Sequence, residues 1–377
     1  MPEHAKKSEN GFVKMFIPNK NDTVGAVVRK IIVIVCLVVF IACGIYILTD
    51  FSSRKADEDM NDNLVNMVEM NASGSFKIDQ QKVDEIKEEQ PNILDKYVDL
   101  YAENNDMVGW IKAGHYINYP VMMREGLENT DYYLYRNFYG EDSKSGSIFC
   151  DNHVPMEDAN NLVLYGHNMQ SGEYFAQLTH YYPYSSHYYS DSLGGFDKNA
   201  FLDYYAQYPT IQFDTLYEEG TYKVFAGIFI NTEEKDGYPY PYYRKRQFKN
   251  ELEFMDFIGN IMDRSTFYTD VDLEYGDQII TLSTCYYYPM GKNVDARFAL
   301  FARKVRDGES PEVDTSKATV NPSPLFFDTY YDRGLAYPWK GRDWDISLVK
   351  NFDKYDGIID SLDDLEPGEA SVVTTSE

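Results

Sequence analysis

Gln278-Ile279-Ile280-Thr281-Leu282-Ser283-Thr284-Cys285 is an apolar, β-forming run that ends on a thiol. The residues behind it, Tyr286-Tyr287-Tyr288-Pro289, cannot easily prolong a strand, because proline has no N–H to give to a ladder. A thiol in that position rides on a rigid element while its sulfur reaches the open rim beyond. Cysteine also carries a useful thiolate fraction near neutral pH, its free pKa being about 8.5. For an isolated cysteine the commoner reading is a small apolar residue closing a core strand. The rest of the chain decides between the two.

A thiol nucleophile needs a partner that can hold and exchange a proton, and histidine does this near pH 7. Of His4, His115, His153, His167, His180 and His187, one repeats the setting of Cys285. In Leu162-Val163-Leu164-Tyr165-Gly166-His167-Asn168 an apolar strand ends and a reactive side chain follows. His115, His153 and His187 read as surface or loop residues, and His180 as a packing residue in a short helix. A third piece is Arg297, opening a strand in Val294-Asp295-Ala296-Arg297-Phe298-Ala299-Leu300. A guanidinium stays protonated, so it serves as no base. It can hold a carbonyl oxygen or stabilise the oxyanion that develops there.

Between Met107 and Val305 the pattern is one of short β runs separated by turn-rich segments. Strands are expected near 108–111, 117–122, 146–150, 162–165, 210–213, 222–230, 278–284 and 297–304, a number and spacing that suggest a closed barrel or a sandwich. Phe248, Leu252, Met255, Ile258 and Met262 recur at helical spacing and predict a helix packed on the barrel wall. Shorter helices are expected over 93–101 and around 174–180, with a tyrosine- and glycine-rich excursion over 181–205.

The 377-residue chain carries a formal charge of −26, with 35 Lys and Arg against 61 Asp and Glu. Such a surface argues against nucleic acid, whose phosphates call for clustered positive charge. Cys36, Cys43, Cys150 and Cys285 are too few for a disulfide scaffold, although a Cys150–Cys285 bridge stays open as an alternative. The stretch 31–48 contains no charge and matches the thickness of a bilayer core. Lys and Arg are denser before it than after it, which predicts a cytoplasmic N-terminus and an extracellular remainder.

The organisation expected is therefore a cytoplasmic N-terminus (1–30), a transmembrane anchor (31–48) and an extracellular stalk (49–90). A catalytic domain (91–306) and an acidic C-terminal extension (307–377) follow. The aromatic residues of 321–350 predict that this part of the extension docks on the domain. A disordered tail is expected from about residue 360. No cofactor is expected, and no acidic loop has a ligand spacing that reads as a metal site.

Thr281-Leu282-Ser283-Thr284-Cys285, with Tyr165-Gly166-His167-Asn168-Met169 upstream and Arg297-Phe298 downstream, resembles the sortases, and among them class B. The resemblance covers roughly residues 90–306. It extends to Gly109-Trp110-Ile111, Tyr119-Pro120-Val121, Asn129 with Tyr132-Tyr133-Leu134, and Gly146-Ser147-Ile148-Phe149-Cys150-Asp151. It implies an eight-stranded sortase barrel with an N-terminal helix and a helix between the sixth and seventh strands, on the outer face of a Gram-positive membrane.

The implied reaction is transpeptidation of a Pro- and Thr-containing C-terminal sorting signal. Its partners would be surface proteins and an amine of the cell wall or of a pilin. By resemblance Cys285 is the nucleophile, His167 the proton carrier and Arg297 the carbonyl ligand. Asn129, Tyr165, Ser283 and Thr284 match positions near the substrate groove. Two other functions stay open on the residues alone: a membrane-anchored cysteine peptidase that passes the acyl group to water, and a non-catalytic surface adhesin.

Overall fold

Period-two alternation sorts the strands' side chains onto two faces, and closing the sheet turns one face into an interior. The computed structural model describes residues 16–18, 20, 22–355 and 357–359. Its barrel strands are β1 (Met107–Ala113), β2 (Ile117–Met122), β3 (Ile148–Cys150), β4 (Asn161–Tyr165), β7 (Thr210–Thr215), β8 (Thr221–Asn231), β10 (Ile279–Cys285) and β11 (Ala296–Lys304). They close in the order β1-β2-β3-β4-β10-β11-β8-β7, so the eight strands expected from the sequence form a barrel and not a sandwich. Two short pairs lie outside it: β5 (Tyr189–Ser190) with β6 (Gly195–Phe196), and β9 (Phe267–Tyr268) with β12 (Thr319–Val320).

The interior is filled by one residue in two along each strand, among them Ile111, Val121, Ile148, Leu164, Phe213, Ile280, Leu282, Phe298 and Leu300. A second apolar cluster lies on the outer face, where Phe225, Ile228, Ile279, Ala299 and Phe301 meet the helix Glu251–Arg264. That helix starts where Asn250 accepts from the N–H of Glu253. It buries Phe254, Phe257, Ile258 and Ile261, each contributing about 1.5–3 kcal/mol relative to exposure.

The extension docks on the same side, burying Trp344, Val349 and Phe352. Trp344 Nε1 donates to Asp263 at 2.7 Å and Arg342 pairs with the same carboxylate at 3.0 Å. The indole needs a buried acceptor, and a carboxylate on the helix supplies it.

The chain divides into two compact units, 1–60 and 61–377. In the first, the helix Val24–Ala72 begins, and its apolar stretch has a mean hydropathy of 3.3 with exposed side chains. Among the described residues it is the one helix long and apolar enough to cross a membrane.

In the second unit, little helix is expected before residue 90, yet two helical segments are found. The end of Val24–Ala72 buries Leu64, Met67 and Val68, and Gln80–Glu89 buries Val83 and Ile86. Those three- and four-residue spacings are the signal that the strongly polar composition masks. A further helix, Lys198–Gln207, lies inside the tyrosine-rich excursion, capped by Asp197 and burying Phe201 and Tyr205. The helix expected over 93–101 forms as a 3₁₀ turn, Asp95–Tyr97, followed by Val98–Glu103. The tail expected from 360 onward lies outside the described residues.

Candidate active site

The outer face of β10 carries Ile279, Thr281, Ser283 and Cys285, and it is buried along its whole length until Cys285, which is half-exposed. Helix and loop cover the strand up to Ser283 and stop there. On one side β11 runs antiparallel, with Cys285 directly opposite Arg297. On the other side β4 runs parallel, with Ser283 opposite Tyr165. Neighbouring strands lie about 4.8 Å apart, so opposed side chains on one face are neighbours. Two residues beyond the Ser283–Tyr165 pair, Cys285 and His167 leave their strands side by side at one rim.

Three hydrogen bonds tie these strand ends together. Gly166 N–H donates to Ser283 O at 3.2 Å, and the Thr284 hydroxyl to Gly166 O at 2.8 Å. The Asn168 amide donates to Cys285 O at 2.7 Å. Residue 166 must be glycine for this approach, because a Cβ there would lie 2.8 Å from the Phe175 ring.

His167 Nε2 lies 2.8 Å from the carbonyl oxygen of Leu134. A carbonyl only accepts, so Nε2 keeps its proton in either charge state and Nδ1 is left as the atom that exchanges one. The Leu134 carbonyl is itself held by close packing. Gly146, at φ +59°, lies so near that a Cβ would stand 2.3 Å from that oxygen.

Arg297 is half-buried and held by Asp295, to which both terminal nitrogens donate, one of them at 3.2 Å. Burial disfavours its charge, but Asp295 and the facing Cys285 outweigh this and raise its pKa above the usual arginine value. Burial first, and then the charge of the neighbouring Cys285 sulfur, raise the pKa of the Tyr287 phenol. Tyr242, buried over the outer face, hydrogen-bonds Ser283 Oγ at 2.7 Å, and burial pushes it up to about 12.

The remaining expected residues fall into two groups. Ser283 and Thr284 are buried, with their hydroxyls engaged by Tyr242 and by Gly166 O. Tyr165 lines a cleft of about 500 Å³ with Thr130, Asp151, His153, Tyr243 and Arg246. Asn129 donates to Glu125 O at 2.6 Å.

Cys150 and Cys285 are both free thiols, so the bridge between them does not form. Cys150 sits inside the barrel, where burial raises its pKa well above the normal thiol range. His180 stacks on His187 away from the rim, at 4.1 Å between ring centres. Among the described residues no cluster of three or more His, Cys, Asp or Glu is placed to hold a metal ion.

Sequence reading gave no role to Tyr242, Tyr287, Asn168 or Asp295. Only Asp295 left a signal, since it lies two residues from Arg297 and so on the same face of a strand.

A half-exposed thiol, an imidazole with one free ring nitrogen and a fixed guanidinium thus share one rim, the set that acyl transfer through a thioester requires. No family model matches the chain. Sortase B of Listeria monocytogenes is 31% identical to it over 195 residues, covering 51% of this chain and 68% of the relative. Sortase B of Staphylococcus aureus is 29% identical over 198 residues, covering 52% and 70%. A solved Staphylococcus aureus sortase B–substrate complex is 25% identical, with a TM-score of 0.47, covering 68% of this chain and 99% of that one. The protein is a cysteine transpeptidase of the sortase class. Within that class, the chain belongs to the sortase B family.

Proposed function

We propose that Cys285 is the nucleophile of this sortase, His167 its proton carrier and Arg297 the ligand of the substrate carbonyl. The observation that carries this reading is the register that sets Cys285 opposite Arg297 while Ser283 pairs with Tyr165, two residues before His167. The Cys285 thiolate attacks the carbonyl carbon after a threonine in a Pro-containing sorting signal. The tetrahedral oxyanion that forms faces the Arg297 guanidinium. The C–N bond then breaks, and the leaving amine takes a proton from His167 Nδ1. In the second half an incoming amine attacks the thioester, gives its proton back to Nδ1 and expels the thiolate.

Tyr165 and Asn129 line the groove, and Ser283 and Thr284 support it from beneath. The substrates are surface proteins with a C-terminal sorting signal, and the acceptor is an amine of the cell wall or of a pilin. The apolar stretch 31–48 anchors the chain, with 1–30 in the cytoplasm. A stalk over 49–90, the catalytic domain over 91–306 and the extension from 307 stand outside.

The test offers a panel of Pro- and Thr-containing sorting peptides with and without oligoglycine or hydroxylamine. Amine-capped product is expected when acceptor is present. Free acid alone, whatever the acceptor concentration, would make the protein a peptidase instead.

A further inference from the structure

On its β11 side the thiol strand keeps its ladder past Cys285, which faces Arg297, and the next residue, Tyr286, donates its N–H to Ala296 O at 3.0 Å. On its β4 side the ladder stops short. Pairing there ends with Ser283 opposite Tyr165, and the last backbone bond runs from Gly166 N–H to Ser283 O at 3.2 Å. Along a parallel pair each strand bonds through every second residue, so the next rung would run from the N–H of residue 168 to Cys285 O. The backbone does not take that course. After His167 the chain doubles back: an isolated bridge pairs Asn168 with Tyr174, and Phe175 N–H donates to His167 O at 3.0 Å. What reaches Cys285 O instead is the half-buried Asn168 side chain, whose amide donates to it at 2.7 Å.

The far end of this hairpin is fixed as well. Gly172, at φ +93°, closes its turn by donating to Met169 O at 3.0 Å. Tyr174, at φ +53°, is one of two residues other than glycine with positive φ among the described residues. A side-chain-bearing residue keeps such a conformation only where its surroundings hold it. Tyr119 does so here, stacking on the Tyr174 ring at 4.8 Å between centres and accepting from Tyr174 N–H at 3.3 Å. Asn168 therefore donates from a backbone secured at both ends.

We propose that Asn168 is a positioning residue for the transpeptidation: its side-chain amide supplies the rung that β4 no longer gives, and so fixes Cys285 beside the segment that carries His167. The inference rests on Cys285 being the nucleophile and His167 the proton carrier. The last residue of a strand frays when one of its sides is left unpaired. A misplacement of about 1 Å at a reacting atom costs on the order of 10²-fold in rate. Because Asn168 directly follows His167, one hydrogen bond sets the spacing between the thiol and the imidazole.

The test separates the donor from the shape, using the full chain, the sorting peptide that the panel above selects and saturating oligoglycine. Asn168→Ala is expected to lose about ten- to a hundredfold in kcat, with KM for the peptide unchanged and a melting temperature near the parent's. Thioester formation without acceptor, followed by mass, slows by the same factor. Asn168→Asp keeps the shape, but an ionised carboxyl only accepts and turns an oxygen toward Cys285 O, whereas a protonated one donates again. Its kcat, taken as a ratio to the parent at each pH, rises as pH falls from about 7 to about 5, toward the carboxyl range. The ratio cancels the titrations of Cys285 and His167, which both proteins share. If Asn168→Ala does not fold, the isosteric Asn168→Asp carries the test alone.

An unchanged kcat in both variants overturns the proposal. A raised KM at parental kcat does too, since it would make Asn168 a groove residue. So does a ratio that stays flat with pH, which would mean that only the shape of the side chain matters. A failure of the Cys285 or His167 assignment shows itself elsewhere, as turnover that survives Cys285→Ala or His167→Ala.

Discussion

Strand β11 carries two arginines on the same face, Arg297 and Arg303, and their surroundings could hardly differ more. The Arg303 side chain is fully buried and ringed by Asp272 at 2.9 Å, Glu309 at 2.6 Å and, at 4.0 Å, Asp277. Arg306 continues that network to Asp277 at 2.7 Å. The Arg297 side chain keeps 27% of its exposure and has a single carboxylate partner, Asp295, leaving a face of the guanidinium toward the rim. One arginine has every donor direction occupied by protein. The other is held in place with room left for an incoming oxygen. The same residue on the same strand is thus enclosed at one end of the barrel and left partly open at the other, where the proposed role of Arg297 needs it, and what separates the two is how completely the neighbours surround the guanidinium.

Substitutions should break the two ends in different ways. At the rim, Cys285→Ala and His167→Ala are expected to abolish turnover, by roughly 10⁴-fold or more for the thiol and 10²–10⁴-fold for the imidazole. Melting temperatures should stay within a few degrees of the parent, and a variant that loses activity by unfolding would not support the assignment. Arg297→Lys comes next, with about 10²–10³-fold lost in kcat, since an ammonium cannot reproduce the planar fork.

At the closed end the signs reverse. Arg303→Met should cost about 3 kcal/mol in urea unfolding by leaving the buried Asp277 and the half-buried Glu309 without this cation, while the folded fraction keeps parental kcat. A kcat loss comparable to that of Arg297→Lys would erase the contrast. The same network makes an acid prediction. The Arg303 hydrogen bond holds the Glu309 carboxyl well below its usual range, and Arg306 does the same for Asp272 against the cost of burial. Folded values below unfolded ones give a contribution that is complete above about pH 5 and is lost as pH falls further. Arg303→Met should therefore flatten the acid limb of stability against pH. The smallest effect is expected for Thr284→Val, which removes the hydroxyl bond to Gly166 O between the two strand ends, at about 1 kcal/mol.

Much of this was legible in the sequence, and for a physical reason. Strands such as 278–284 and 297–304 declare themselves by alternation and β-branched content, and a strand's end fixes where its last side chain points. The sulfur, imidazole and guanidinium were singled out because each terminates or opens such a run, and the register sets Cys285 opposite Arg297. The groups that hold them were not. Leu134 reaches His167 through a backbone carbonyl, which any residue offers. Tyr242 is one tyrosine among 34, and nothing local separates it from Tyr217 or Tyr275, which sit exposed. The helix Lys198–Gln207 was hidden for a related reason, since tyrosine has no strong helical preference and its turn rests on the Asp197 cap and tertiary packing. Contacts that join residues over a hundred positions apart, as Asn168 does with Cys285, have no local sequence signature.

The account turns on an acyl group residing on one sulfur. The most direct measurement is to mix the protein with a Pro- and Thr-containing sorting peptide, quench in acid without amine acceptor, digest and read masses. The account predicts a thioester adduct on the peptide containing Cys285 that disappears when oligoglycine is added and is missing in Cys285→Ala. An adduct on Cys150, or cleavage that persists in Cys285→Ala, would contradict it.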